Sequence, residues 1–268
     1  MPEGHTLHRL ALDLTEAFGG ERLAVGSPQG RFAEAAALLD GSLCEGADAW
    51  GKHLFVAFDG GRFVHVHLGL YGTLHLAPTP APEPVGQVRL RLLGQRAYAD
   101  LRGATTCDLI TTGQRDAVVA RLGPDPLRPD ADPGLAWRRI HRSSVPIGAL
   151  LMNQEVLAGI GNVYRAEVLF RQGIAPLTPG RDVTEDQWRA IWGDLVALMR
   201  QGVVDNRIDT VRPAHTPEAM GRPPRKDDHG GEVYVYRRAG QPCLVCGTPV
   251  SASVLQGRNL FWCPTCQS

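Results

Sequence analysis

The spacing of apolar residues predicts one helix at the N-terminus and several helices in the second half of the chain. From Thr6 to Phe18 apolar side chains return every three or four residues, which is typical of an amphipathic helix. After residue 134 the same spacing returns in WRRIH, GALLMNQEVL and NVYRAEVLFRQ. A further helix is predicted to begin at the capping box Thr184 to Gln187 and to run toward Met199.

Between these regions, apolar and polar residues alternate with the period of β-strands. The segment HLFVAFDGGRFVHVHLG alternates on both sides of Gly60 and Gly61, and VRLRLLGQRAYADL alternates on both sides of Gly94 and Gln95. A glycine-containing turn between two alternating runs predicts a β-hairpin. The first half of the chain is therefore predicted to consist mostly of antiparallel strands.

Loop signals divide the chain into domains. Proline-rich residues 77–86 predict a loop inside the strand region, and residues 123–134 predict the domain boundary. Residues 205–231 are rich in Pro, Arg, Asp and Gly without a clear period, which predicts a mobile loop. We therefore expect a two-domain α+β protein, with a β-rich domain over residues 1–123 and a helical domain with its loop over residues 134–232.

The charge balance is neutral but uneven along the chain. The 28 basic residues equal the 28 acidic residues, yet residues 1–137 hold 12 basic and 16 acidic residues whereas residues 138–268 hold 16 and 12, which gives weak support for a nucleic-acid partner of the C-terminal half. Only Lys52 and Lys226 are lysines, either because a compact ammonium group is needed at these positions or because two lysines remain by chance in an arginine-rich chain. The sequence contains neither an apolar run of about 20 residues nor a signal-peptide core, so we expect a cytoplasmic protein without a membrane partner.

Two CxxC pairs near the C-terminus predict a zinc ribbon over residues 233–268. Sixteen residues separate the pairs, a spacing that allows four thiolates to surround one metal ion. Four protein ligands leave no open position for water, so we expect one structural Zn²⁺ and no catalytic metal. Arg258 lies on a turn between the pairs, where it would be either a DNA contact or a solvated side chain. The predicted ligands are Cys243, Cys246, Cys263 and Cys266.

A glycine-rich turn precedes the predicted helix that begins at Asn162. The segment from Ala158 to Asn162 reads AGIGN. A helix start offers unpaired N–H groups and the positive end of the helix dipole, and glycines allow a phosphate to come close. The turn therefore predicts either a phosphate contact or a tight connection between packed helices.

The N-terminus, MPEGH, offers a nucleophile if Met1 is removed. Pro2 would then carry a free secondary amine, and its attack on a sugar C1′ would give an iminium that is cationic without protonation. Such a cation acidifies the neighbouring C–H bonds, and Glu3 is close enough in sequence to transfer protons.

The order of these motifs resembles that of the formamidopyrimidine-DNA glycosylase and endonuclease VIII family over nearly the whole chain. The resemblance implies an N-terminal antiparallel β-sandwich with a flanking helix, a helix-two-turn-helix domain and a zinc finger. It also implies a base-excision repair glycosylase and abasic-site lyase that forms a Schiff base on Pro2 and cuts the strand by β- and δ-elimination.

The family's functional positions match individual residues of this chain. The resemblance implies catalytic roles for Pro2, Glu3, Lys52 in WGKHLF and Arg258, and DNA contacts by Lys52, Arg258 and Asn162 in GIGNVY. Leu70 and Tyr71 in HLGLYG match the residues that fill the hole left by the flipped base, although they could equally be core residues at a strand end. Glu167 in YRAE matches a family acid, for which a capping or salt-bridging role is equally open.

The start PEGH and the LYG motif favour the endonuclease VIII branch, whose substrates are mainly oxidised pyrimidines. In that branch a polar residue precedes the Leu-Tyr pair. This chain has Gly69 at the same position, which puts in doubt the contacts to the base that loses its partner when the damaged base flips out. The expected partner is damaged double-stranded DNA, with single-stranded or bubble DNA left open, and the family implies a monomer. Two alternatives are a catalytically inactive, lesion-sensing DNA-binding protein and a zinc-ribbon protein of RNA metabolism.

Overall fold

The computed structural model describes residues 2–226 and 231–268. The chain forms two compact units, of which the first ends at Arg121 and the second begins at Leu122. The proline-rich stretch at residues 123–134 therefore belongs to the second unit. Met1, which must be removed before Pro2 can act as a nucleophile, lies outside the described residues.

The N-terminal unit contains a long first helix, eight strands and two shorter helices. Helix α1 begins two residues earlier than the apolar spacing predicts, and both predicted hairpins are confirmed. The elements in chain order are α1 (Gly4–Phe18), β1 (Ala24–Gly26), α2 (Ala33–Leu39), β2 (Cys44–Trp50), β3 (His53–Phe58), β4 (Arg62–His67), β5 (Thr73–Pro78), β6 (Val88–Leu93), β7 (Ala97–Arg102), β8 (Thr106–Thr111) and α3 (Thr112–Val119).

The strands form two antiparallel sheets that enclose one core, which confirms the predicted β-sandwich. One sheet has the order β2-β3-β4-β8 and the other β1-β6-β7-β5. Alternate residues of both sheets, such as Val64 and Leu92, are almost fully buried. The predicted loop at residues 77–86 starts too early, because Ala77 and Pro78 still pair with β7. Proline is tolerated there because β5 is an edge strand and needs no donor on its open side.

Helix α1 lies antiparallel to β2. Near the end of the helix, the Gly20 N–H donates to the Cys44 carbonyl over 2.8 Å, and one helical turn earlier the Ala47 N–H donates to Thr15 Oγ1 over 2.8 Å. The strand thus advances from residue 44 toward residue 50 as the helix runs back toward its start. The N-terminus of the chain consequently lies toward the end of the sheet where β2 turns into β3.

The C-terminal unit is helical and ends in a small hairpin. Its elements are α4 (Pro133–Ile140), α5 (Ile147–Leu150), α6 (Asn162–Arg171), α7 (Glu185–Asp205), α8 (Pro217–Met220), β9 (Ser251–Leu255) and β10 (Arg258–Trp262). The predicted capping box at Thr184 and Gln187 is present, with both reciprocal hydrogen bonds. This architecture confirms the expected helix-two-turn-helix domain and zinc finger.

Two predictions for this unit are wrong in detail. The helix expected over GALLMNQEVL stops at Leu150, because the Asn153 side chain accepts from the Glu155 N–H over 3.0 Å and folds the chain into turns. The expected irregular loop at residues 205–231 contains a 3-10 turn, Pro213–His215, and helix α8. Residues 227–230 of that predicted loop lie outside the described residues.

Glu167, on α6, is fully buried and anchors the chain that leads to the zinc finger. Its carboxylate accepts from the backbone N–H groups of Tyr234 at 2.7 Å, Val235 at 2.9 Å and Tyr236 at 2.8 Å, and from Thr210 Oγ1 at 2.6 Å. A buried carboxylate is stable only when donors replace its lost water. Of the roles left open for Glu167, these contacts favour a structural one.

We expect Glu167→Gln to lower the free energy of unfolding by about 2–3 kcal/mol, because an amide replaces one acceptor oxygen by an NH₂ group that faces backbone donors. Denaturant unfolding of the zinc-loaded protein, with hydrogen exchange of the amides of residues 234–236, measures the effect. The control Glu185→Gln changes an exposed acid at the start of α7 and should shift stability by less than about 0.5 kcal/mol. Unchanged stability and exchange in Glu167→Gln would show that the carboxylate is not the anchor.

Candidate nucleic-acid interface and active site

One end of the β2-β3-β4-β8 sheet collects most of the candidate residues of the N-terminal unit. Lys52 lies in the turn between β2 and β3, beside Gly51 at a φ of 57°. Leu54 pairs with Val66, so this turn lies at the same end of the sheet as the connection from β4 to β5. That connection carries Leu70 and Tyr71. The register alone therefore brings the predicted phosphate contact and the predicted intercalating pair to one edge.

Pro2 and Glu3 immediately precede α1. Pro2 is partly buried, and Glu3 is fully buried at the N-cap position, where its carbonyl accepts from the Thr6 N–H over 3.0 Å. Because α1 is antiparallel to β2, this end of the helix faces the same edge as Lys52. Burial, followed by the charge of His8, lowers the pKa of His5 to about 4, so this buried imidazole next to the candidate nucleophile is neutral at pH 7.

Leu70 and Tyr71 are held away from the core. Their side chains are 54% and 86% exposed, which rules out the alternative of strand-end core residues. A tight turn presents them: the Gly72 N–H donates to the Leu68 carbonyl over 3.0 Å, and Gly69 has a φ of 68°. A Cβ on Gly69 would collide with Thr105 Oγ1, so a side chain there requires the Thr105 side chain to move. The left-handed backbone and the position of Thr105 both favour glycine at this point of the tip.

Three histidines beside Lys52 form a cluster that the sequence analysis missed. His53 Nδ1 and His65 Nε2 share a hydrogen bond of 2.8 Å, and the ring of His67 lies 5.1 Å from that of His53. Burial, then the neighbouring imidazoles, lowers the pKa of His53 to about 3, and burial together with the Lys52 charge lowers the pKa of His67. The cluster is therefore neutral at pH 7, and Lys52 and Arg121 are cations close enough to act on it. The alternation His65-x-His67 was a usable signal, because positions two apart share a strand face.

In the C-terminal unit, Asn162 begins α6 as predicted and is tied to the zinc-finger hairpin. Gly159, at a φ of 87°, and the N-cap Gly161 lead into the helix. Asn162 Nδ2 donates to the Asn259 carbonyl over 2.9 Å, and Asn162 Oδ1 accepts from the Arg165 guanidinium. Both polar atoms of the Asn162 side chain are thus engaged inside the protein.

Arg165 is a second residue that the sequence analysis missed. Arg165 is 1% exposed, and its guanidinium donates to the carbonyls of Asn259 at 2.8 Å and Gly148 at 3.3 Å, besides the Asn162 side chain. Arg258, the first residue of β10, is exposed next to this junction and follows a turn in which Gln256 and Gly257 have positive φ. The structure therefore brings the helix start and the hairpin arginine together through one buried guanidinium.

The four cysteines form a metal site. Their sulfur atoms all lie within 4.8 Å of one another, with Cys243 to Cys266 at 3.9 Å and Cys246 to Cys263 at 3.5 Å. Zinc–sulfur bonds of about 2.3 Å in a tetrahedron require sulfur separations of about 3.8 Å, so the donor set fits Zn²⁺. The Val245 N–H points to Cys243 Sγ over 3.4 Å and stabilises its thiolate. With four thiolates the zinc is structural.

Among residues 2–226 and 231–268, no helix is long and apolar enough to cross a bilayer. Three domain families match the chain. The formamidopyrimidine-DNA glycosylase N-terminal domain matches residues 1–107, the formamidopyrimidine-DNA glycosylase H2TH domain matches residues 122–212, and the zinc finger found in FPG and IleRS matches residues 240–268.

Relatives cover the full length. The chain is 53% identical over 272 residues to Endonuclease 8 1 of Mycobacterium tuberculosis, with 100% of both chains covered. It is 34% identical to the formamidopyrimidine-DNA glycosylase of Thermus thermophilus, covering 86% of this chain and 85% of that protein. The crystal structure of the MutM (Fpg) protein of the same organism superposes with a TM-score of 0.76 at 27% identity, covering 99% of this chain and 98% of that one. The chain belongs to the formamidopyrimidine-DNA glycosylase and endonuclease VIII family.

Proposed function

We propose that this protein is a bifunctional DNA glycosylase and abasic-site lyase that removes oxidised bases, mainly pyrimidines, with Pro2 as its nucleophile. The match to Endonuclease 8 1 over both full lengths supports the activity class. The observation that carries the assignment of residues is the shared edge in the N-terminal unit, where the start of α1, Lys52 and the exposed Leu70–Tyr71 tip converge. The structure gives no support to an inactive lesion sensor or to an RNA-binding role.

In the proposed first step, the secondary amine of processed Pro2 attacks C1′ of the damaged nucleotide. A nitrogen–carbon bond forms, the glycosidic bond breaks, and the base leaves with a proton. Opening of the sugar ring gives an iminium between Pro2 and C1′. The buried Glu3 carboxyl adjoins this nitrogen in sequence and is the proposed proton carrier, since burial away from water favours a directed transfer.

Two eliminations complete the proposed reaction. The iminium draws electrons from C2′, so loss of a C2′ proton breaks the C3′–O bond and releases a 5′-phosphate end. Loss of a C4′ proton then breaks the C5′–O bond and leaves a 3′-phosphate end. Hydrolysis of the remaining imine frees Pro2. The products are the sugar fragment and a one-nucleotide gap with phosphates on both sides.

Substrate positioning is assigned to five residues. Lys52 and Arg258, for which the resemblance implies catalytic roles, are proposed to assist catalysis by holding phosphates near the lesion together with Asn162, while Leu70 and Tyr71 fill the space of the flipped base. The proposed partner is damaged double-stranded DNA, bound by a monomer in the cytoplasm. A complex of MutM with DNA carrying carbocyclic 8-oxo-G has the same fold, at a TM-score of 0.80 and 20% identity.

Borohydride trapping tests the nucleophile and the activity together. Native protein, with removal of Met1 verified by mass spectrometry, is expected to form a covalent adduct with abasic-site duplex DNA, because reduction converts the iminium into a stable amine. A Pro2→Gly variant should lose most of this adduct, whereas Pro129→Gly, which changes an exposed loop proline, should retain it. A duplex with an oxidised pyrimidine should trap more protein than one with 8-oxoguanine.

The absence of an adduct on both abasic and oxidised-pyrimidine DNA would refute the enzyme and favour the lesion sensor. An undiminished adduct in Pro2→Gly would leave the lyase activity but assign it to another amine.

Replacement of Lys52 by alanine should weaken duplex binding or turnover about tenfold, because a charge-assisted hydrogen bond to phosphate is worth about 1.5–3 kcal/mol. The salt dependence of binding should fall by about one counterion. Fluorescence anisotropy at several salt concentrations and single-turnover kinetics measure both effects. The control Arg96→Ala removes an exposed cation of the same unit, whose side chain is 78% exposed. Unfolding of Lys52→Ala, or equal losses in both variants, would contradict the assignment.

Removal of zinc should abolish specific duplex binding while the β-sandwich stays folded. The metal holds the hairpin that carries Arg258, and structural zinc contributes folding energy directly. Chelation followed by anisotropy and circular dichroism tests this, and added Zn²⁺ should restore binding. Full binding by the metal-free protein would show that the hairpin does not contribute to the interface.

A further inference from the structure

Lys226, the second of the chain's two lysines, lines a cavity that takes no part in the proposed reaction. The cavity has a volume of about 320 Å³ and lies entirely within the C-terminal unit, between the segment after α8 and the start of the zinc finger. Among the residues that the structure describes, its lining includes one carboxylate, Glu232, and five cationic side chains. These are Arg222, Arg225, Lys226, Arg237 and Arg238.

The one carboxylate is already neutralised by partners. Arg222 donates to Glu232 Oε2 over 2.6 Å, and the backbone N–H of Arg225 donates to Oε1 over 2.6 Å. Burial opposes ionisation of Glu232, but these two donors more than offset it and hold its pKa below the ordinary value. Glu232 therefore stays charged and balances Arg222, which leaves the wall of the cavity strongly positive.

Main-chain carbonyls fix two of the arginines. Arg238 is 8% exposed and donates to the carbonyls of Tyr234 at 2.6 Å and Pro242 at 2.8 Å, and Arg225 donates to the Tyr236 carbonyl at 3.2 Å. Carbonyl oxygens orient a guanidinium but do not cancel its charge. Burial lowers the pKa of Arg238, the Glu167 carboxylate opposes this shift, and the charges of Arg222 and Arg225 add to it. Arg222 and Arg225 therefore lie close enough to Arg238 to act on its charge.

Arg237 adds a cation in an unusual backbone conformation. Its φ is 54°, in the left-handed region that non-glycine residues seldom adopt, and its guanidinium lies 5.6 Å from the centre of the Tyr236 ring. Part of the basic wall lies near the thiolate cluster of the zinc site, since Cys243 is among the charged groups that act on Arg238. Lys226 and Arg237 are both exposed at the cavity and are not explained by that cluster.

We propose that this cavity binds a phosphoryl oxyanion. The wall is too charged for an apolar ligand, because burying several cations against hydrocarbon is costly. A tetrahedral oxyanion with several acceptors matches guanidinium groups fixed in position and a compact ammonium. The volume accommodates a phosphate together with an attached sugar. The site uses none of the residues assigned to base removal, so it stands independently of the proposed function.

Isothermal titration of the full-length, zinc-loaded protein with inorganic phosphate tests the proposal. We expect saturable binding of one phosphate per chain. The double variant Lys226→Gln/Arg237→Gln should weaken it about tenfold or more, since each substitution removes a charge-assisted donor. The matched control Arg189→Gln/Arg200→Gln removes the same charge from the exposed side of α7 and should bind like the native protein. Both pairs are exposed, and circular dichroism verifies that the variants fold.

Absence of saturable phosphate binding by the native protein, or equal weakening in both double variants, would overturn the proposal. A second titration with a short 5′-phosphorylated single-stranded oligonucleotide identifies the source of the ligand. A parallel loss of oligonucleotide binding in Lys226→Gln/Arg237→Gln would assign the site to a nucleic-acid phosphate. A loss confined to inorganic phosphate would assign it to the free ion. Borohydride trapping of the same variant on abasic-site DNA measures the lyase activity independently of phosphate binding. The two measurements therefore distinguish a failure of the phosphate site from a failure of the proposed lyase activity.

Discussion

The buried carboxylate of Glu167 is the constraint on which the organisation of the C-terminal unit depends. A charge inside a core of apolar side chains must be surrounded by donors, and three successive backbone N–H groups at residues 234–236 supply most of them. The segment they belong to leads directly into the first cysteine knuckle. The same segment carries Arg237 and Arg238. One side chain on α6 thus orders the approach to the zinc finger and the basic wall beside it.

Both units place candidate phosphate-binding groups on short turns next to partly or fully buried polar side chains. In the N-terminal unit, neutral stacked imidazoles lie near Lys52, and in the C-terminal unit the Arg165 guanidinium donates to Asn162. Asn162 uses both side-chain polar atoms internally, so a phosphate at this turn either meets the N–H groups of the helix start or replaces the Asn259 carbonyl as a partner. Rigid turns of this kind reduce the conformational entropy lost on binding.

Features that depend on residues close together in the sequence could be predicted from it, whereas contacts between residues far apart in the sequence could not. Alternation around Gly60 and Gly61, the capping box at Thr184 and the cysteine spacing each depend on neighbouring residues, and all three are confirmed. The prediction of a helix through Asn153 is wrong, because the Asn153 side chain accepts a hydrogen bond from the Glu155 N–H and favours a turn over a helix. The partners of Glu167 lie 43 to 69 residues away, and the Asn259 carbonyl that Arg165 contacts lies 94 residues away, so no local period could reveal these contacts. The family resemblance located Glu167 but not its function.

Diversity at position 69, next to the tip residues Leu70 and Tyr71, is constrained in two ways. Gly69 combines a left-handed backbone with a neighbour, Thr105, whose hydroxyl occupies the place of its missing side chain. A polar residue at position 69 would therefore need tolerance of the left-handed region, as asparagine has, and a residue at position 105 whose side chain turns away or is smaller. Residues 69 and 105 thus form a coupled pair, and a specificity change grafted onto this tip would have to consider both positions together.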